Sequence, residues 1–268
     1  MPEGKCATFQ QRSYAQIAMT RLNKTMFPFF RTNTNTQKSN VSLVDTHAHI
    51  LPGIDDGATS MTEAIFMIEQ LKNMGYKQVT ATPHVFFEYY PNSKESILKV
   101  AEKVQAELVE RAIDIEFNVA AEYYLDEHFR ELLQDNQVLT LLGNCLLVEM
   151  STIGPTNNTE ELIWQIKANG YCPILAHPER YLYLQPEDYQ RLLSYGCKFQ
   201  INILSMCGYY GRQVQKRVFQ LLKNKQVHFI GTDLHKPAQI EKVRKVIQSS
   251  FFESISTEIK NPKWILHL

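Results

Sequence analysis

The sequence predicts an α/β protein whose parallel strands close into a barrel, TIM-like in plan, as seven strand–helix units in a single domain. Two observations carry that expectation. From Val41 onward, short apolar strand patterns alternate with amphipathic helix patterns, and such alternation builds parallel sheets with helices outside. The middle strand runs are apolar almost throughout, as strands covered on both faces must be. A third regularity bears on chemistry. Histidines and acidic residues recur where the apolar runs stop, and carboxyl ends of barrel strands are where reactive groups gather.

Residues 1–40 read as a flexible tail. Thr32–Asn40 (TNTNTQKSN) is polar and unpatterned and cannot bury enough surface to order itself. Met26–Arg31 (MFPFFR) is an apolar patch able to dock on the body or on a partner, and Met26 is a candidate natural start. Val41–Val44 is the first strand, running into His47 and His49. Thr59 or Ser60 caps a helix to about Met74, with Ala64, Ile65, Ile68 and Leu71 on one face and Gly75 at its end. Gln78–His84 (QVTATPH) is the second strand. Ser93–Arg111 is an amphipathic helix with Ile97, Val100, Val104 and Leu108 at helical spacing. Glu116–Tyr124 is the third strand, followed by a short helix at Asp126–Leu133. Cys145–Met150 is the fourth, and a helix at Thr159–Asn169 ends at Gly170. Cys172–His177 and Lys198–Ile203 are the fifth and sixth strands. A helix over 211–225 leads to the seventh, Val227–His235, and a last helix covers Pro237–Ser249. Asn261–Leu266 (NPKWIL) reads as a short docking tail without chemistry.

At 268 residues and 44% hydrophobic content, the chain can bury a sizeable core. Its zero net charge conceals an asymmetry. Residues 1–40 carry six basic side chains against Glu3, leaving 22 basic and 27 acidic residues, a net of −5, in the other 228. A mildly acidic body lacks the basic footprint that nucleic acid requires and suits a protein that collects cations. The five cysteines, at 6, 145, 172, 197 and 207, are odd in number and show no C-x-x-C spacing. Cys145 and Cys172 sit inside apolar strands as buried thiols, which implies a reducing compartment. No apolar run approaches the ~18 residues of a membrane span, and the N-terminus lacks a signal-peptide core. A cytoplasmic location without membrane insertion is expected.

The strand ends converge on one chemistry. His47 and His49 lie two apart, on one side of a strand, with Asp55 and Asp56 beyond a Pro-Gly turn. The second strand ends in His84, the third in Glu122, the fourth in Glu149 and the fifth in His177. The seventh ends in Asp233 and His235. His128, His228 and His267 lie elsewhere and look incidental. One histidine at a strand end is more often structural, but nine metal-competent groups on one rim are not explained that way. Imidazole and carboxylate without thiolate suit manganese, iron or zinc. So many ligands imply two or three divalent ions bridged by a carboxylate, a cluster suited to activating water and neutralising phosphoryl oxygens. Arg180 stands three residues past His177, placed either to bind a phosphate bidentately or to pair with Glu179 or another acid. Within 41–268 no cysteine has an arginine at the C-x5-R spacing of thiol phosphatases; Cys207 and Arg212 come closest, with four residues between, whereas Cys6 and Arg12, which do show that spacing, lie in the tail. Phe86, Phe87, Tyr89, Tyr90, Tyr123, Tyr124, Tyr181 and Tyr183 follow the rim residues and could stack on a substrate ring or pack the loops.

The motifs THAH with its following Asp-Asp-Gly, ATPH, AAEYY, LVEMS, AHPERY and GTDLH resemble those of the polymerase and histidinol phosphatase (PHP) superfamily. Their order and spacing are most similar to bacterial manganese-dependent protein-tyrosine phosphatases of capsule and exopolysaccharide loci, over about Val41 to Leu268. The resemblance implies a distorted seven-stranded barrel with a trinuclear site and residues 41–268 as its catalytic domain. By motif, the first metal takes His47, His49, Glu122 and Asp233. The second shares Glu122 and adds Glu149 and His177, and the third takes Asp56, His84 and His235, with Asp56 preferred to Asp55 by its place in the triplet. Arg180 matches the phosphate-binding arginine of the A-H-x-E-R motif, and Asp56 and His235 join it as catalytic candidates. A second arginine found in some relatives is missing from LHKPAQIEK, where Lys236 could substitute as a point charge. The implied substrate is a phosphotyrosine protein, the tail of a bacterial tyrosine kinase that controls polysaccharide export. A small-molecule phosphatase acting on histidinol phosphate and a non-catalytic metal-binding scaffold are the competing readings. A nuclease is disfavoured by the acidic body.

Overall fold

The computed structural model describes residues 43–156 and 158–256. The tail with its Met26–Arg31 patch, the first two residues of the expected first strand, and Asn261–Leu266 lie outside the described residues. Among the described residues, the named strands pair in parallel throughout. The strands are β1 (Leu43–Ala48), β2 (Tyr76–Ala81), β3 (His84–Val85), β4 (Glu116–Val119) and β5 (Glu122–Tyr124). They continue as β6 (Cys145–Glu149), β7 (Cys172–Ala176), β8 (Lys198–Asn202) and β9 (Phe229–Gly231). One sheet has the order β1-β2-β4 and the other β3-β5-β6-β7-β8-β9.

Two of the expected strands are therefore each broken in two. The second breaks at Thr82–Pro83, because proline has no N–H for the ladder. There the Thr82 amide turns back to Ala48 O at 2.9 Å, while Pro83 O accepts from Glu122 N at 3.0 Å. The third breaks beside it at Ala120–Ala121. β1 runs on to Ala48, past the expected end at Val44, so His47 belongs to the strand itself. The two sheets also meet at the carboxyl ends of β1 and β9. Ala48 and Leu234 form a parallel bridge, Asp233 N donates to His47 O at 2.8 Å, and His49 N donates to Leu234 O at 2.9 Å.

Helices cover the outer face. α1 (Met61–Asn73) is capped by Ser60, whose hydroxyl accepts from Glu63 N, and it buries the expected Ala64, Ile65, Ile68 and Leu71. α2 (Lys94–Glu110) starts with a Ser93–Ser96 capping box, and α3 (Glu127–Gln134) is capped by Asp126. α4 (Thr159–Ala168) buries Leu162, Ile163 and Ile166. α5 (Pro186–Ser194) was not anticipated, since Tyr189 and Leu192 are its only buried side chains and give little periodic signal. α6 (Ile203–Met206) and α7 (Arg212–Lys223) flank a loop. The expected last helix forms as a 3-10 turn, Pro237–Gln239, then α8 (Ile240–Ile247) and α9 (Ser250–Ser256).

Strand alternation separates two apolar regions. Leu146, Val148, Leu175, Phe199, Ile201 and Ile230 point outward and share the main core with helix residues such as Ile65 and Leu162. Cys145, Leu147, Ile174, Ala176 and Phe229 point the other way and join Ala120 in a smaller inner cluster. Continuing along the inward positions of β6 leads to Glu149, and from Ala120 to Glu122. An apolar floor thus gives way to acid at the carboxyl ends. Leu147 is fully buried in that floor, so Leu147→Ala should cost about 2–5 kcal/mol of stability, read as a lower denaturation midpoint at an unchanged m-value.

Candidate metal centre

His47 and His49 leave β1 with both side chains buried. His47 Nδ1 lies 2.7 Å from Gln200 Oε1. The Gln200 amide nitrogen donates to Ile201 O and Asn202 Oδ1, so its oxygen must face His47 and Nδ1 carries the proton. His49 Nδ1 lies 2.8 Å from Asp55 Oδ2, which fixes the same tautomer. In the neutral rings both Nε2 atoms then carry lone pairs, and they lie 3.1 Å apart. Glu122 Oε2 stands 3.1 and 3.3 Å from them. Asp233 Oδ1 stands 3.4 Å from each.

Four electron pairs thus face one another in a buried space. Burial opposes the charge on Glu122 and Asp233, yet the imidazoles around them hold both carboxyls well below the ordinary range. Burial likewise opposes the His47 imidazolium, but Glu122 and Asp233 outweigh it and push its pKa up to about 9. The pocket demands positive charge. Metal bonds of about 2.0–2.2 Å place neighbouring ligand atoms about 3.0–3.5 Å apart, which is the spacing found here. Glu122 Oε2 and His84 Nδ1, both facing this cluster, are moreover buried without a hydrogen bond. The residues fit a divalent cation.

The remaining candidates surround this core. His84 Nδ1 approaches Glu149 Oε1 at 2.9 Å and Glu122 Oε2 at 3.2 Å, so His84, Glu122 and Glu149 form a second metal-competent group. His177 Nε2 lies 3.0 Å from Glu122 Oε1 and 3.7 Å from Glu149 Oε2. Asp56 Oδ1 lies 3.6 Å from His84 Nε2 and 3.5 Å from His235 Nε2, and His49 completes that third group. Asp55 behaves differently from its neighbour. It accepts from Gly57 N and His84 N while holding His49. Burial works against its carboxylate, but His49 and the Gly57 amide bring its pKa down to about 2. His177 and Asp233 both adopt positive φ, 35° and 50°, which swings them out of strand alternation toward the cluster.

Arg180 pairs with an acid other than its neighbour Glu179. Its Nη1 is 3.5 Å from Asp233 Oδ2, and its guanidinium lies 4.7 Å from the centre of the Tyr210 ring. Glu179 is fully buried and accepts from Asn202 N. Lys236 donates from Nζ to Gly57 O at 2.8 Å, strapping the Asp55–Gly57 loop to the end of the seventh strand. Two of the aromatic candidates are core residues. Tyr123 and Tyr181 are buried, and their hydroxyls accept from Leu139 N and Met150 N. Strand alternation turns Tyr123 to the face opposite Glu122.

The expected sixth strand forms as β8 and carries none of the predicted site residues, yet Gln200 and Asn202 support the centre from it. Asn202 Nδ2 donates to Asp233 Oδ2 at 2.5 Å, so a chain of contacts runs from His47 through Gln200 and Asn202 to Asp233. Asp45, also missed, accepts from Thr232 N at 2.9 Å and from its hydroxyl at 2.5 Å, tying β1 to the seventh strand below the site. The amides Gln200 and Asn202, alternating with Phe199 and Ile201 in KFQIN, were the available signal. Close packing also explains two glycines. A Cβ on Gly57 would lie 2.0 Å from His49 O, and one on Gly231 would lie 2.7 Å from His47 Cβ.

The family description "Capsular polysaccharide synthesis, CpsB/CapC" matches residues 43–267. The chain belongs to this family. Among CpsB/CapC relatives, the tyrosine-protein phosphatase YwqE of Bacillus subtilis is 27% identical over 72% of this chain and 77% of its own. The putative tyrosine-protein phosphatase CapC of Staphylococcus aureus is 26% identical over 84% of this chain and 91% of its own. A solved structure from work on YwqE and on CpsB of Streptococcus pneumoniae, described as unique metal-dependent tyrosine phosphatases, superposes with a TM-score of 0.71. It is 25% identical and covers 82% of this chain and 89% of the other.

Gln200→Leu removes the acceptor that orients His47 while preserving bulk. It should weaken metal affinity about 10- to 100-fold, measured by chelator competition, with the fold retained.

Proposed function

We propose that the protein is a metal-dependent protein-tyrosine phosphatase acting on phosphotyrosine, with a bacterial tyrosine kinase that regulates capsular or exopolysaccharide synthesis as its substrate. The observation that carries this reading is the convergence of His47, His49, Glu122 and Asp233 on one buried point with Arg180 alongside. The names of the CpsB/CapC relatives point the same way.

His47, His49, Glu122 and Asp233 would hold one ion, Glu122, Glu149 and His177 a second, and Asp56, His84 and His235 a third. Manganese is the first choice, with iron and zinc suited to the same donors. Bound there, such ions supply an activated water and neutralise charge on the phosphoryl oxygens. The chain does the rest. Arg180, held over Tyr210, approaches Asp233 through Nη1 and, among the described residues, no other carboxylate at ion-pair distance, which leaves guanidinium donors for phosphate oxygens. Asp56 and His235 stand at the mouth, 3.5 Å apart, where the ion they would hold would neutralise charge on the leaving oxygen. Lys236, engaged with Gly57 O, acts by positioning the Asp56 loop. Cys145, Cys172 and Cys197 are buried, which supports a route without phosphocysteine.

Closure of the sheets into a distorted seven-stranded barrel is supported by the Ala48–Leu234 bridge, and we propose 41–268 as one catalytic domain with 1–40 as a tail. A cytoplasmic location is supported by Cys145 and Cys172, free thiols facing each other in register on β6 and β7. Among the described residues, no helix is long and apolar enough to cross a membrane.

Turnover of a phosphotyrosine peptide should exceed that of histidinol phosphate, vanish in chelator and return with manganese. Full activity of metal-free protein, undiminished activity in His47→Ala, or preference for histidinol phosphate would contradict the proposal. Arg180→Met should lower kcat/KM about 10- to 100-fold without changing metal content.

A further inference from the structure

The rim aromatics form a built ledge beside the metal centre. Tyr90 lies over His84, with ring centres 5.4 Å apart and planes 14° from parallel. Its loop is held from three sides. Phe86 N donates to Tyr90 O at 3.0 Å, and Tyr90 N donates back to Phe86 O at 2.6 Å. Asn92 Nδ2 donates to Ile54 O and His84 O, pinning the loop to the segment that carries Asp55 and Asp56. Phe86 in turn stacks on Tyr124 at 4.1 Å and 13°. With backbone and inner rings fixed, Phe87 and Tyr89 still stand 60% and 68% exposed. Large aromatic side chains displayed on a rigid support next to a cluster of metal-competent side chains mark a recognition surface.

The depth of the centre determines what that surface meets. His47, His49 and Glu122 are fully buried, whereas Phe87 and Tyr89 stand at the surface. A phosphate that reaches Glu122 must be carried on a spacer, and the ring of tyrosine supplies one where the single methylene of serine does not. The spacer then passes Tyr90, and the peptide main chain emerges level with Phe87 and Tyr89.

We propose that the Phe86–Tyr90 loop selects aryl phosphates borne on a peptide, Tyr90 packing against the phenyl ring and Phe87 with Tyr89 taking an apolar side chain flanking it. This rests on the phosphatase reading above and adds the residues that set its specificity. The ring contact is an offset stack between aromatic faces, and the flanking contact is burial of apolar surface, so neither requires a charge from the ledge.

The test uses the full metal-loaded chain with three probes: p-nitrophenyl phosphate, a phosphotyrosine peptide with leucine flanks, and the same peptide with glycine flanks. The double variant Phe87→Ala with Tyr89→Ala should raise KM for the leucine-flanked peptide about 3- to 10-fold relative to p-nitrophenyl phosphate, and should erase the preference over glycine flanks. Tyr90→Ala should raise KM on all three probes by a similar factor, and Tyr90→Phe should restore it. Unchanged melting temperature and metal content show that the variants remain folded and loaded. A double variant that keeps the flank preference, or a Tyr90→Ala with wild-type KM, overturns the ledge while leaving the phosphatase reading intact. Failure of the loaded wild-type chain to hydrolyse either peptide overturns both.

Discussion

Two imidazole Nε2 atoms 3.1 Å apart, closed in by two ionised carboxylates and sealed from water, set their lone pairs against one another unless a proton or a metal ion sits among them. Much of the structure exists to maintain that opposition. The tautomers that create it are enforced from behind, by Gln200 on one ring and Asp55 on the other. Asn202 holds the carboxylate of Asp233, and Asp45 ties the two strand ends together through Thr232. Removing any of these leaves the ligand present but free to turn away, which is how supporting contacts come to matter nearly as much as ligands.

The backbone makes corresponding concessions. A continuous ladder through the second and third strands is given up at Pro83 and Ala120–Ala121, and the step places His84 and Glu122 in register at the start of a second sheet. His177 and Asp233 take positive φ, a costly backbone state for residues other than glycine, to reach the same centre. Gly57 and Gly231 leave out the Cβ atoms that would strike His49 and His47. Strain, chain breaks and missing side chains gather where the charge gathers, while the inner floor of Leu147, Ile174 and Phe229 obeys plain apolar packing.

Much of this was legible in the sequence, because most of the proposed ligands mark the point where an apolar run stops, whereas Asp56 came only from its place in the Asp-Asp-Gly triplet. His47, His84, Glu122, Glu149, His177 and Asp233 all stand out against hydrophobic neighbours. Helices with a broad buried face, such as α1 and α4, were legible too. The supporting layer was not. Gln200 meets His47 across 153 residues and Asp45 meets Thr232 across 187, and nothing local to either residue announces its partner. Tyr210 lay in a loop with no pattern, yet its ring carries Arg180. Tyr123 and Tyr181 were grouped with the rim because they follow site residues in order, whereas strand alternation and burial send them into the core. The break at Pro83 needed only the missing N–H to be weighed against the apolar run around it.

The most direct test is a titration of metal-depleted full-length chain with manganese, recording ions bound per chain together with the melting temperature. Ions that relieve the repulsion bind the folded chain selectively, so the account predicts saturation at two or three per chain and a stabilisation of about 2.7 kcal/mol when free metal reaches about 100 times Kd. No saturable binding, or saturation with an unmoved melting temperature, would contradict it.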